Sequence, residues 1–328
     1  MRILITGGAG FIGSAYTRAV LAGDLPGATG ASVTVLDNLS YSGNLANLTS
    51  VAGHPGYTFV RGDICDADLV DELMPGHDAV VHFAAESHVD RSINSAAPFV
   101  TSNVLGTQVL LEAARRRGTG RFVHVSTDEV YGSIERGSWT EHSPLAPRSP
   151  YSASKAGSDL LALAFHRTHD LDVVVTRCSN NYGPYQFPEK VIPLFVTNLM
   201  LGQRVPLYGD GGNVRDWLHV SDHCRGIHLA LQAGRPGEVY HIGGGTELTN
   251  KELTSRLLEA CGADWSMVDY VTDRKGHDRR YSLDCDKAET ELGYRAEVPF
   301  DEGLASTIDW YRTNRDWWEP LKARAAGG

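Results

Sequence analysis

The opening residues, MRILITGGAG, constrain this chain more than any other stretch. RILIT reads as a β-branched strand, and Gly8-Ala9-Gly10-Phe11-Ile12-Gly13 follows it directly and opens a helical pattern. In that spacing the first glycine permits a tight turn and the second lets the backbone approach a pyrophosphate. The third lets the helix pack against the strand. The helix amino terminus then offers free N–H groups and a positive dipole end to phosphates. Surface glycine turns imitate a bare G-x-G-x-x-G, but here a strand precedes it and a helix follows. It therefore reads as a dinucleotide-binding fingerprint.

The rest of the first half keeps the same rhythm. SVTVLD, YTFV, DAVVHFA, RFVHVS and LDVVVTR read as further strands, apolar on both faces, as in a parallel sheet covered on both sides. Helical patterns lie between them: the stretch after Gly13, DADLVDELM, a long one from about Ala97 to Arg117, and PYSASKAGSDLLALAFHRTH with Ser149 as its cap. The expected fold is α/β, a Rossmann-type doubly wound parallel sheet with a smaller, interleaved C-terminal substrate-binding domain. Residues 1–180 should form the dinucleotide-binding domain, with about 214–243 returning to it. Residues 181–213 and 244–328 should form the second domain. The terminal RAAGG is expected to fray.

Composition narrows the partners. The net charge of -10, with no basic stripe, argues against nucleic acid. No segment has the apolar length of a membrane helix, and the amino terminus lacks the sections of a secretion signal. The five cysteines are scattered without a C-x-x-C, as suits reduced thiols, so a cytoplasmic protein is expected.

Chemistry concentrates at strand ends. Asp37 closes SVTVLD, where a carboxylate accepts hydrogen bonds from adenosine ribose hydroxyls and would repel a 2′-phosphate, so NAD is favoured over NADP. Asp63, in RGDIC, could face the adenine or simply start a helix. Tyr151 and Lys155 share one helix face, and a lysine ammonium there is expected to lower the phenol pKa. Such a tyrosine can take a hydroxyl proton as hydride leaves the same carbon. Ser126 and Thr127 end the fifth strand, with Thr127 able to bond a sugar hydroxyl. Asp128 and Glu129 come next, and can act on one sugar only if the backbone has left the strand, as Tyr131-Gly132 suggests.

GGAGFIG, FAAESHVDRS, STDEVYG, YSASKAGSD, NNYGPYQFPEK, VRDWLHVSDH and DRKGHDRRY run through nearly the whole chain. Together they resemble the dTDP-glucose 4,6-dehydratases of the extended short-chain dehydrogenase/reductase superfamily. The resemblance implies that Tyr151, with Lys155 and Thr127, deprotonates the 4-hydroxyl while NAD takes hydride from carbon 4. Glu129 then removes the proton on carbon 5, Asp128 protonates the departing 6-hydroxyl, and hydride returns to carbon 6. It also implies a cofactor site of Gly7, Gly10, Phe11, Ile12, Gly13, Asp37, Asp63, Ile64, Ala84, Ser87, Ser126, Tyr151, Lys155 and Asn181.

For the nucleotide sugar, the resemblance implies contacts from Ser87, Thr127, Asn180, Glu189 and Lys190. Further out it implies Pro206, Leu207, Tyr208, Arg215, Asn250, Arg274 and His277. Tyr208 should stack on a pyrimidine, and the arginines should fork onto phosphate oxygens. Arg215 read by position alone is as well explained by a salt bridge to Asp216 or Asp222. Lys275 departs from the family pattern, which has proline there. His219 and His223 are spaced i, i+4, but no third ligand is evident, so structural histidines and no metal are expected. A 4-epimerase, a decarboxylase or a GDP- or CDP-sugar dehydratase is the alternative function. A homodimer through the long helices is the family expectation.

Overall fold

The computed structural model describes residues 1–326. Its strands are β1 (Arg2–Thr6), β2 (Ser32–Asp37), β3 (Tyr57–Arg61), β4 (Ala79–His82), β5 (Arg121–Thr127) and β6 (Val173–Cys178). Then come β7 (Asn180–Tyr182), β8 (Val205–Tyr208), β9 (Val214–His219), β10 (Val239–Ile242), β11 (Glu247–Thr249) and β12 (Val268–Val271). Seven of them form one sheet in the order β10-β6-β5-β4-β1-β2-β3, every pair parallel. The chain leaves β1 in one direction to β2 and β3 and in the other to β4, β5 and β6. Ligands bind above such a reversal, at the carboxyl ends of the strands.

Apolar runs on both strand faces find partners on both sides. Ile3, Ile5, Val33, Val35 and Val81 pack under the helices Phe11–Ala22 and Val220–Ala233, through Tyr16, Val20, Ile227 and Leu231. Leu4, Leu36, Val80, Phe122, Val173 and Val175 pack under Thr107–Arg117 and Pro150–His169, through Leu110, Ala114, Ala162 and Phe165. A third core, with Phe195, Trp217, Leu257, Ile308 and Trp318, lies among the later elements. No described helix is long and apolar enough to cross a membrane.

Three details differ from the reading of the sequence. The segment expected to return to the sheet from about 214 does so only from Val220. β9 pairs instead with β7 and β11 in a separate three-stranded sheet, and β10 joins the large sheet beside β6. The long helix from Ala97 is wound wider, as a π-helix, over Val100–Gly106 before continuing as Thr107–Arg117. The wide turn holds Asn103, whose amide accepts from Glu86 N at 2.8 Å and donates to Glu86 O at 3.0 Å and Ser154 Oγ at 2.8 Å. It thereby ties the loop after β4 to the helix of Tyr151, and such bulges recur at functional sites. Of the terminal residues expected to fray, 324–326 continue the helix from Arg315, and the last two lie outside the described residues.

Candidate active site

Two adjoining clefts open at the carboxyl edge of the large sheet. The first runs over β1, β2 and β4 to the end of β5 and is lined by Gly7, Gly10, Phe11, Ile12, Gly13, Asp37, Asp63, Ile64, Ala84, Ser126 and Asn181, among others. Its turn glycine is Gly7, not Gly8 as the spacing suggested. Gly7 has φ 71°, and a Cβ there would lie 2.5 Å from Ala84 N. A Cβ on Gly13 would lie 2.3 Å from Gly7 O, so any side chain would force the helix off the turn. The fingerprint is therefore Gly7-x-x-Gly10-x-x-Gly13.

The helix that follows has neither a side-chain cap nor an acidic residue in its first turn. Its first N–H groups remain open to an anion. Asp37 is buried at the end of β2, where Oδ2 accepts from Ala9 N at 2.9 Å and Oδ1 from Leu39 N at 2.8 Å. Burial pushes its carboxyl up, opposed by those two bonds. Each oxygen keeps a lone pair for a hydroxyl. Asp63 lies two residues past β3. Burial raises it, but bonds from Cys65 N and Asn38 prevail and leave it below its ordinary value. An uncapped helix end and a carboxylate at the end of β2 in the same cleft suit a dinucleotide without a 2′-phosphate.

The side chains expected to be catalytic gather where this cleft meets the second. β5 ends at Thr127, and Asp128–Tyr131 turns into a 3₁₀ helix capped by Thr127, whose Oγ1 accepts from Glu129 N at 3.3 Å. This departure from the strand is what an adjacent acid–base pair needs. Opposite stands Pro150–His169, started by Ser149 and Ser152 as a reciprocal capping box. Its first turns deliver Tyr151 and Lys155, both buried, and Lys155 Nζ donates to Val125 O at 2.8 Å. Ser126 Oγ, in the same wall, has no partner among the described residues.

Charges in this wall are unequal. Asp128 is 2% exposed, and burial, then Glu129, raises its carboxyl well above the ordinary range. Glu129 is also raised by burial, but Arg215, Lys190 and Arg274 all oppose the rise. The expected lowering of the Tyr151 phenol is not what this arrangement produces. Burial, then Glu129, pushes it well up, while a hydrogen bond with Thr127 acts the other way. Lys155 points at the β5 backbone and is itself pushed down by burial.

The second cleft shares Ser87, Glu129, Asn180, Asn181, Glu189 and Lys190 with the first, so these residues stand at the junction. Lys190 Nζ donates to Ser87 O at 3.0 Å, and Glu189 accepts from the Tyr41 hydroxyl at 2.9 Å. Farther out the cleft is lined by Pro206, Tyr208, Arg215, Asn250, Arg274 and His277. Arg215 makes no salt bridge with Asp216 or Asp222 among the described residues. It donates to Asp278 O at 2.9 Å and lies 4.2 Å over the Tyr281 ring. Arg274 lies 5.0 Å over Tyr208, so the guanidinium already covers part of the ring expected to stack on a base.

Leu207 does not line either cleft. Its side chain is 2% exposed within the C-terminal core, because alternate residues of β8 face opposite ways. Lys275 is exposed and also lines neither cleft. His219 and His223 bond different partners, Ser221 Oγ at 2.7 Å and Asn181 Oδ1 at 2.9 Å. The sequence reading missed Tyr41, Phe83 and Phe187 in the first cleft and Asp90, Trp217 and Tyr281 in the second. Phe83, Asp90, Phe187, Trp217 and Tyr281 lie inside motifs already singled out, but Tyr41 carried no local signal.

The family model for GDP-mannose 4,6 dehydratase matches residues 4–307. A dTDP-glucose 4,6-dehydratase of Streptomyces niveus is 68% identical over 98% of this chain and 96% of its own length. One from Streptomyces antibioticus is 68% identical over 100% of this chain and 97% of its own. The crystal structure of a dTDP-glucose 4,6-dehydratase from Streptomyces venezuelae with NAD bound superposes with a TM-score of 0.97 at 65% identity, covering 98% of this chain and all of that one. With this agreement along the whole chain, and with Asp128 and Glu129 lining the same cleft as Tyr151 and Lys155, the chain belongs to the dTDP-glucose 4,6-dehydratase family.

Proposed function

We propose that the protein converts dTDP-glucose to dTDP-4-keto-6-deoxyglucose and water with NAD as a cofactor that is not consumed. The observation that carries this is the contrast between Asp128 and Glu129 at the junction of the two clefts. Burial raises both carboxyls, Asp128 well above its ordinary range with Glu129 adding to the rise, whereas Arg215, Lys190 and Arg274 all hold back the rise of Glu129. β-Elimination needs such a pair beside a carbonyl.

The residues divide the work as follows. Gly7, Gly10, Gly13 and the open helix end hold the pyrophosphate, and Asp37 holds the adenosine ribose. Bound there, NAD supplies reversible hydride transfer, taking hydride from carbon 4 and returning it to carbon 6. Tyr151, whose phenol the positive nicotinamide of bound NAD would bring back down, takes the 4-hydroxyl proton, Thr127 holds that oxygen, and Lys155 orients the nicotinamide ribose. The 4-ketone acidifies carbon 5, from which Glu129 removes the proton. Asp128 gives its proton to the 6-hydroxyl as the bond from carbon 6 to oxygen breaks, and water leaves an unsaturated ketone. Hydride addition at carbon 6 and return of the proton to carbon 5 complete the product. Arg215 and Arg274 grip the diphosphate and nucleoside.

Purified protein incubated with dTDP-glucose should yield the 4-keto-6-deoxy product, detected by its alkaline absorbance. Formation of the 4-epimer alone would overturn the reading, and turnover of only GDP- or CDP-glucose would move the base assignment.

The protein acts as a homodimer in this reading. Ile93, Val100, Leu105 and Leu160 are exposed apolar residues on the helices between Val89 and His169. Water-facing leucine and valine on adjacent helices suit a helix-to-helix interface between two copies.

A further inference from the structure

Beneath the site, and lining neither cleft, lies Arg177, the penultimate residue of β6 and 2% exposed. Its Nε donates to Asp159 Oδ2 at 2.8 Å. A terminal N–H donates to the Tyr131 hydroxyl, and the guanidinium carbon lies 4.8 Å from the centre of that ring. Asp159 is one helical turn past Lys155 and two past Tyr151, and its Oδ1 lies 3.2 Å from His124 Nε2. Tyr131 ends the 3₁₀ turn that carries Asp128 and Glu129. Its ring stacks on Trp139 at 5.8 Å, and its hydroxyl meets His241 Nε2 at 2.7 Å.

One side chain is thus bonded at once to the helix of the redox pair and to the turn of the elimination pair. A buried ion pair is a poor source of stability, since desolvation offsets most of its attraction. Its geometry is another matter. The planar fork fixes two partners in different directions, which an aliphatic pair or a lysine ammonium would not do. His124 and His241 anchor the two ends of this bridge from β5 and β10. Nothing in the redox or elimination steps uses Arg177 itself.

We propose that Arg177 is a positioning residue that sets the register between Tyr151–Lys155 and Asp128–Glu129, so that the ketone formed at one pair is met by acid and base at the other. This rests on the dehydratase reading above. Loosening the bridge should leave hydride removal nearly intact, because Tyr151 and Lys155 sit on one rigid helix. It should slow elimination, because the turn would no longer be held to that helix.

The test uses the full-length enzyme loaded with NAD, with Arg177→Lys and Tyr131→Phe, the second removing one hydroxyl and leaving the ion pair with Asp159. Single-turnover reactions with dTDP-glucose follow reduced-cofactor absorbance, and quenched samples give water loss. Elimination should slow about 10- to 100-fold, as expected for a displacement near 1 Å, while reduced cofactor accumulates and KM stays unchanged. A merely structural role would lower Tm and slow both steps in equal proportion, and that result overturns the proposal. Unchanged partition in Tyr131→Phe overturns it even if Arg177→Lys does not fold. Failure of the parent enzyme to make the 4-keto-6-deoxy product would instead overturn the dehydratase reading.

Discussion

Asp128 and Glu129 are neighbours in the chain, yet cations oppose the rise of their carboxyls unequally. Three cations, Arg215, Lys190 and Arg274, act on Glu129, whereas Asp128 has Glu129 itself as its leading charged neighbour, with Arg215 and a hydrogen bond from Thr127 against it. The 3₁₀ turn makes this possible, because it releases the pair from the strict alternation of β5 and still points both at the same cleft. In the proposed mechanism, acid and base are thereby separated by environment and not by residue type.

Asp128→Asn keeps the size and polarity of the side chain and removes its proton. Hydride removal should persist, and dehydration should slow by about 10²–10⁴-fold, the usual worth of a positioned acid. Reduced cofactor building up under dTDP-glucose, with little product, is the expected trace. Dehydration at the parent rate would remove Asp128 from its role.

The pH dependence has a definite sign. Asp128 must be protonated to act, and its pKa is raised, so elimination should fall as pH rises through that raised value. Glu129 must be ionised, so activity should fall on the acid side. Lys190→Met removes a cation facing Glu129, raises its pKa further, and should move the acid limb of kcat to higher pH. An acid limb that stays in place in this variant would show that Glu129 does not set it.

Tyr151→Phe should block the first step. Without the phenol no group takes the 4-hydroxyl proton, and the rate of cofactor reduction should drop by roughly 10²-fold or more. Substrate affinity, read by calorimetry, should change little. Reduction at an undiminished rate would place the base elsewhere.

Asp37→Ala removes the carboxylate from the cofactor cleft and frees Ala9 N and Leu39 N. A loss of about 1–2 kcal/mol in cofactor affinity, on the order of tenfold, is expected from hydrogen bonds of this kind. Counting NAD retained after gel filtration measures it. Retention equal to that of the parent enzyme would mean that Asp37 only shapes the turn.

Leu105→Glu combined with Leu160→Glu places charge on two exposed apolar positions. The variant should keep its fold and run as a monomer in light scattering. A dimer of unchanged strength would move the interface to another face.

Much of this was written locally. Strands buried on both faces carry unbroken apolar runs, helices carry their own caps, and a tyrosine and lysine four apart share a face whatever surrounds them. β1, the helix at Pro150 and the grouping of Asp128, Glu129, Tyr151 and Lys155 were legible for that reason. Folding in space decided the rest. Gly7 took the turn because Ala84, far along the chain, leaves no room for a side chain there. Leu207 turned into a core whose existence depends on helices more than forty residues later. The phenol of Tyr151 rose because burial and Glu129 outweigh its hydrogen bond with Thr127, while Lys155 bonds to the backbone of β5. Arg177 gained its meaning only when Asp159, 18 residues before it, and Tyr131, 46 residues before it, closed on the same guanidinium. Periodicity and caps act over a few residues, but burial and charge sum over everything that packs nearby.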